Sequence, residues 1–334
     1  MSFERKKFSG AAWFYILLYL AGCQSSERTC KNEAGRAKTQ IPVKITRLEA
    51  AFDNLTDSTQ ALAVLRTNAA LFGNLFFNMP GNDTGMVASE LLRQSRDPYR
   101  DTLLADVMQA YPSLEGLEGE LGDLFGQVKA SYPAFVTPKV YTLVSGFTID
   151  INYQRNILAL GLEFFMPATA RYPVPEAPGY IARRLRQYTL SQNVALVMSS
   201  GYNKPITGKR ILDEMMRWGK TYCFIEQTMP CLPDTLLTGY PAATLTNVQE
   251  NEKTIYNHFI ANKLFYQDQP FLVNKYCGER PSIPEIGDKC PGRIGRYLGW
   301  RIVRQYAKEN KLTLAQLMEE TDADKIFREA GWRP

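Results

Sequence analysis

The chain has 334 residues, 45% hydrophobic and 22% charged, with a formal net charge of +5, one histidine and six cysteines. Such a composition is globular rather than disordered or fibrous, and the charge is too small for a nucleic-acid-binding surface. One histidine cannot supply a zinc site built on two histidines at i and i+4 of a helix, and no Gly-x-Ser-x-Gly elbow, phosphate loop, Gly-x-Gly-x-x-Gly turn or EF-hand spacing occurs.

Arg5, Lys6 and Lys7 open the chain against Glu4, and an apolar stretch follows from Ala11 to Ala21. A membrane-spanning helix needs roughly 20 apolar residues, so this shorter run behind a basic start reads as an export signal. It ends in Leu20-Ala21-Gly22-Cys23, which resembles the lipobox of bacterial lipoproteins. Small residues at Ala21 and Gly22 let the chain enter a peptidase site. The resemblance implies that residues 1–22 are removed and that Cys23 carries the acyl chains that anchor the protein. Several acyl chains hold a protein far more firmly than one.

Residues 23–40 are polar and contain Gly and Ser, too little to bury a core. They read as a flexible tether, reaching on the order of 20–25 Å root-mean-square. Gln24 is not the aspartate that retains lipoproteins at the inner membrane, and Glu27 is followed at once by Arg28. By the same resemblance the expected location is the outer membrane, facing the periplasm.

One globular domain is expected over 41–334. Ile41 to Arg47 alternates apolar and polar residues, as a short strand does. Leu62, Leu65, Ala69, Phe72 and Phe76 form one helical face within 54–79, and further helices are expected at 97–110 and 114–130. The β-branched and aromatic runs Lys139–Phe147 and Asn156–Phe165 suggest a small antiparallel sheet, with the Ile41 strand as a third member. From Ala177 the chain reads as helical. Ile211, Met215, Trp218, Tyr222 and Ile225 form one stripe, and Ile294, Leu298, Ile302, Val303 and Tyr306 another. A long polar helix is expected over 242–265. Thr313 with Gln316 makes a capping box, and Thr321 or Asp322 caps the last helix. The predicted class is α+β and predominantly α-helical: a small antiparallel sheet wrapped by about ten helices.

Export puts the cysteines where disulfides persist. Cys277 and Cys290 flank a loop rich in Pro and Gly and are the expected pair; Cys223 and Cys231 are a second candidate pair, which leaves Cys30 over. His258 is expected to be structural or exposed, and Arg183-Arg184-Leu185-Arg186 to be a solvated face. Gly292, Gly295 and Gly299 leave one side of a helix nearly bare. Glycine inside a helix costs about 1 kcal/mol relative to alanine, so they mark either tight core packing or a partner groove.

The segment Cys290-Pro-Gly-Arg-Ile-Gly-Arg-Tyr-Leu-Gly-Trp-Arg-Ile-Val-Arg-Gln-Tyr resembles the C-terminal signature of the GldB gliding-motility lipoproteins of Bacteroidetes. Weaker matches are Gly161-Leu-Glu-Phe-Phe, Pro178-Gly-Tyr-Ile-Ala-Arg-Arg and Gln249-Glu-Asn-Glu. The resemblance implies a non-enzymatic lipoprotein that supports gliding motility or type IX secretion, with other proteins of that machinery as partners and no cofactor. The same C-terminal pattern is similar to that of predicted zinc-dependent proteases bearing a His-Glu-x-x-His helix. It therefore implies a zincin-like scaffold without metal and, as the alternative function, a hydrolase on that degenerate scaffold.

Overall fold

A computed structural model describes residues 40–49, 55–70, 84–154 and 156–334. The lipobox residues Leu20, Ala21 and Gly22, the lipidation candidate Cys23, nearly all of the tether, and Phe72 and Phe76 of the first helical stripe lie outside the described residues.

Four strands form one sheet: β1 (Ile45–Arg47), β2 (Lys139–Leu143), β3 (Ile151–Gln154) and β4 (Ile157–Gly161), in the order β1-β2-β4-β3. β2 runs parallel to both β1 and β4, and β3 is antiparallel to β4. The expected antiparallel sheet is thus corrected to a mixed one. The three strands read from sequence are mutually parallel, and the antiparallel member, β3, was not anticipated. The cause lies in the burial pattern. Val140, Leu158 and Leu160 face one core, while Leu143 and Ala159 face another. Strands covered on both sides read as continuous apolar runs, which is the signature of parallel strands between helical layers. Asn156, at φ 64° between β3 and β4, takes the left-handed conformation that asparagine tolerates.

Parallel pairing of β1 with β2 requires a crossover. It is made by α1 (Ser58–Ala70), α2 (Thr84–Ser95), α3 (Pro98–Ala110) and α4 (Glu115–Ser131). α1 and α2 cover one sheet face through Ala61, Leu65, Val87, Ala88 and Leu91. Asp97 caps α3, its carboxylate accepting from the Tyr99 amide at 3.0 Å, with Pro98 in the first turn where no amide is missed.

The other sheet face is covered by the helical body. Its helices are α5 (Gly179–Ala182), α6 (Leu190–Ser199), α7 (Ile211–Thr228), α8 (Asp234–Thr238), α9 (Ala242–Glu250), α10 (Glu252–Ala261), α11 (Pro270–Cys277), α12 (Ile294–Glu309), α13 (Leu314–Glu319) and α14 (Ala323–Ala330). The expected helix over 242–265 is broken. Asn251 turns its side-chain amide onto the Asn247 carbonyl at 2.8 Å, and Lys263 is left-handed at φ 50°. The Thr313–Gln316 capping box forms, at 2.9 and 3.3 Å, and Asp322 rather than Thr321 caps α14.

α7 and α12 cross at the centre of this body. A Cβ on Gly299 would run into the Met215 carbonyl, and one on Gly219 into the Gly299 carbonyl and Val303. The two backbones meet because neither helix has a side chain at the crossing.

Candidate functional site

The glycine-lined face resolves into two parts. Gly295 and Gly299 are not a partner groove. A Cβ on Gly295 would lie 2.6 Å from the Cys277 sulfur, and Gly299 is closed by α7. Gly292 lies against the Arg280 backbone and also borders a surface cleft. The expected Cys277–Cys290 bridge is absent: both are buried free thiols. Cys277 is turned toward Gly295, whereas the Cys290 sulfur contacts the Pro291 carbonyl at 3.8 Å. Burial pushes the Cys290 thiol up to about 12. Cys223 is likewise free and buried, so the second candidate pair does not form; Cys231 is disulfide-bonded, but not to Cys223.

Past Arg293, α12 is tied into the protein along its length. The Arg296 guanidinium stacks 3.7 Å over the Trp218 ring, and the Trp218 indole donates to Glu214 at 2.8 Å. Trp300, fully buried, donates to Glu226 at 3.1 Å, and Arg304 reaches the same carboxylate at 3.3 Å. Tyr297 donates to Glu252, which also holds Arg301 at 3.2 Å.

The start of α12 is different. Arg293 is left-handed at φ 59° and almost fully buried. Its guanidinium donates to the Thr238 carbonyl at 2.9 Å and lies over the Tyr240 ring. The Tyr240 hydroxyl in turn donates to the Gly292 carbonyl at 2.6 Å. Three guanidiniums converge on Glu279: Arg184 at 2.7 Å, Arg296 at 3.4 Å and Arg293 at 3.6 Å. Arginine stays protonated in proteins, so one carboxylate here faces three positive charges. Burial, with Arg293 alongside, lowers the Arg184 pKa from its ordinary value.

Next to this cluster is a cleft of about 150 Å³, walled by Tyr180 and Tyr240 and lined by Arg183, Arg280, Lys289 and Arg293. Among its lining residues Asp288 is the one carboxylate. Low-dielectric walls strengthen a field of one sign inside a cleft. The cleft therefore offers guanidinium and ammonium donors of a kind that can hold an anionic group, Arg by planar bidentate contact and Lys as a point charge. Of the cleft's lining, Gly292 was singled out from sequence as part of a groove and Cys290 as half of a disulfide. The Arg183–Arg184 run was a visible signal, but it was read as a solvated face. Arg183 is exposed, whereas Arg184 is half-buried on Glu279, 95 residues away along the chain.

His258 sits 3.2 Å from the Tyr276 hydroxyl at the end of α10, partly buried, its pKa lowered by burial and by Lys275. Of the carboxylates on α7, Asp213 is bound by Arg210 at 2.8 Å, and Glu214 by Arg217 and Trp218. Among the described residues no three His, Cys, Asp or Glu are grouped so as to hold a metal, and no helix is long and apolar enough to cross a membrane.

The family model described as gliding motility protein GldB matches residues 29–334. The chain belongs to that family of lipoproteins, and the membership implies a role in gliding motility. No curated protein and no solved structure matches it.

Proposed function

We propose that this GldB-family chain is a non-enzymatic lipoprotein, anchored through Cys23 in the outer membrane with its domain toward the periplasm, where it supports the gliding or type IX secretion machinery. In this reading the domain is a binding module, and its contact surface is the basic cleft at the start of α12. The observation that carries it is the charge imbalance there: Arg183, Arg280, Lys289 and Arg293 border one cleft with Asp288 as the counter-charge. Glu279, at the cluster behind, is already shared by three arginines. An acidic segment of a partner would supply the missing negative charge, and such complementarity speeds association and selects partners.

The test is capture of partners by the tagged full-length chain from native membranes, beside a chain carrying Arg183→Glu and Lys289→Glu. Gliding or secretion components recovered with the first and lost with the second are the expected result. Equal recovery with both chains would remove the cleft from the reading, and recovery of no such component from either would overturn the reading itself.

A further inference from the structure

Resting on the reading above, in which the basic cleft is the contact surface, we propose that the acidic group it receives is a phosphoryl group. It would be held between the end of α5, the first turn of α9 and the segment from Arg280 to Gly292. The cleft, at about 150 Å³, is smaller than the pockets of roughly 300–1,000 Å³ that enclose drug-sized ligands. It admits one compact group rather than a folded element.

Four cations line the cleft, and three of them are uncommitted. Among the described residues the side chains of Arg183, Arg280 and Lys289 make no hydrogen bond and no ion pair. Elsewhere in the helical body Arg210, Arg217, Arg301 and Arg304 each end on a carboxylate. The fourth cation, Arg293, is 7% exposed and fixed by the Thr238 carbonyl and the Tyr240 ring. Asp288 leaves three positive charges of the lining unbalanced, and Glu279 behind them is already shared by Arg184, Arg293 and Arg296. The start of α9 adds uncharged donors. Its N-cap, Pro241, offers no side-chain acceptor, and the amides of Ala242, Ala243 and Thr244 find none among the described residues. Pro241 and Thr244 line the cleft. Free first-turn amides at the positive end of a helix dipole favour an anion.

The walls are fixed before anything binds. The Ile283 amide donates to the Cys290 carbonyl at 2.8 Å, the Cys290 amide to the Gly287 carbonyl at 2.8 Å, and the Tyr240 hydroxyl to the Gly292 carbonyl at 2.6 Å. Ser282 pairs with Pro291 across the same segment. A site ordered in advance loses less freedom on binding. Its donors stand on three sides: Arg183 after α5, the first turn of α9 with the Thr244 hydroxyl, and Arg280 with Lys289. A carboxylate brings one charge and two coplanar oxygens. A phosphate monoester brings a charge of about −1.5 to −2 and three acceptor oxygens in a tetrahedral arrangement. Three walls of donors and a surplus of positive charge match the phosphate; a carboxylate would leave one wall without an acceptor.

The full-length chain, solubilised from membranes, is titrated calorimetrically with inorganic phosphate, glycerol phosphate, a water-soluble short-chain phosphatidic acid and a glutamate-rich peptide. The expected result is saturable binding of phosphate and its esters, tighter than that of the peptide. Arg183→Glu with Lys289→Glu should weaken it about tenfold or more. Thr244→Asp should lose it too. An acidic residue in the first turn suits a helix, so urea unfolding of that variant should be unchanged and the loss reports on the site rather than the fold. Tighter binding of the phosphatidic acid than of glycerol phosphate would assign the group to a lipid headgroup; equal or weaker binding would assign it to a soluble ester. No binding of phosphate or its esters by the original chain, or undiminished binding by the variants, would overturn the phosphoryl site. Binding of the glutamate peptide as tight as that of phosphate would overturn it as well, while leaving the acidic-segment reading standing. Partner capture that persists in Arg183→Glu with Lys289→Glu, beside lost phosphate binding, would instead remove the contact role and keep the phosphoryl site.

Discussion

Along the body of α12, every arginine ends on a partner inside the protein: Arg296 on Trp218, Arg301 on Glu252, Arg304 on Glu226. At its first residues the balance reverses, and Arg293 borders a cleft with Arg183, Arg280 and Lys289 against Asp288. The two regions lie a few residues apart in one sequence signature. A buried charge is tolerated where it is paired, and an excess of one sign is tolerated only where water or a ligand can reach it. The signature thus divides into a part that fixes α12 against α7 and a part that presents charge. Substitutions in the first should cost stability; substitutions in the second should cost binding.

The largest effect is expected at Trp300. Its side chain is fully buried and its indole donates to Glu226. Trp300→Ala removes that packing and leaves Glu226 with one partner fewer, at about 3–5 kcal/mol. Urea unfolding of the purified chain measures it; a loss below about 1 kcal/mol would mean that the body of α12 is not the structural half. Gly299→Ala comes next, at about 1–3 kcal/mol, because the new methyl group meets the Met215 carbonyl. Gly287→Ala is its control, since a Cβ there has nothing within 4 Å, and its change should stay within about 0.5 kcal/mol. Equal costs at the two glycines would remove the close approach of α7 and α12 as the explanation.

The periodicity of α7 and α12 was legible because burial on one helix face writes itself into spacings of three and four. The Thr313–Gln316 box and the Asp322 cap were legible because capping is local. Strand direction was not. The apolar runs at Val140 and Ile157 fix that these segments are covered, but not which way they run, and the crossover through α1 to α4 is a long-range fact. The cysteines failed for a related reason. Spacing put Cys277 beside Cys290, yet the Cys277 sulfur is turned under Gly295. The charge cluster on Glu279 joins residues from three separated segments, and nothing in the run Arg183-Arg184 names a partner 95 positions on.

Lys220 sharpens the comparison from within α7. It is fully buried, and its ammonium donates to the carbonyls of Lys204 at 2.9 Å, Met318 at 3.1 Å and Glu320 at 2.6 Å. Burial pushes its pKa down to about 8, against an ordinary value of 10.5. The folded chain therefore releases this proton before the unfolded chain does. Stability should rise with pH from about 8 to 10.5, by about 1 kcal/mol between pH 7 and 9. Lys220→Met should remove that slope, whatever it does to stability at pH 7. Unfolding curves at pH 7, 8 and 9 for both chains decide it, and the same slope in the variant would assign the titration to another group.

The smallest effect on stability is expected where the largest effect on binding is. Arg183 and Lys289 are exposed and border the cleft. Replacing both by glutamate changes the cleft's lining from four cations and one carboxylate to two cations and three carboxylates. Exposed substitutions away from packing contacts stay within about 0.5 kcal/mol, so the folded chain should be nearly unchanged in urea. Moderate salt should weaken an acidic partner's binding to the original chain, because screening at 0.15 M acts over about 8 Å. The double variant should bind weakly at every salt concentration. A large loss of stability in this variant would place the start of α12 with its body, as structure, and would leave the cleft's charge without a binding role. Unchanged stability with unchanged partner binding would keep the division of α12 but move the contact surface elsewhere on the domain.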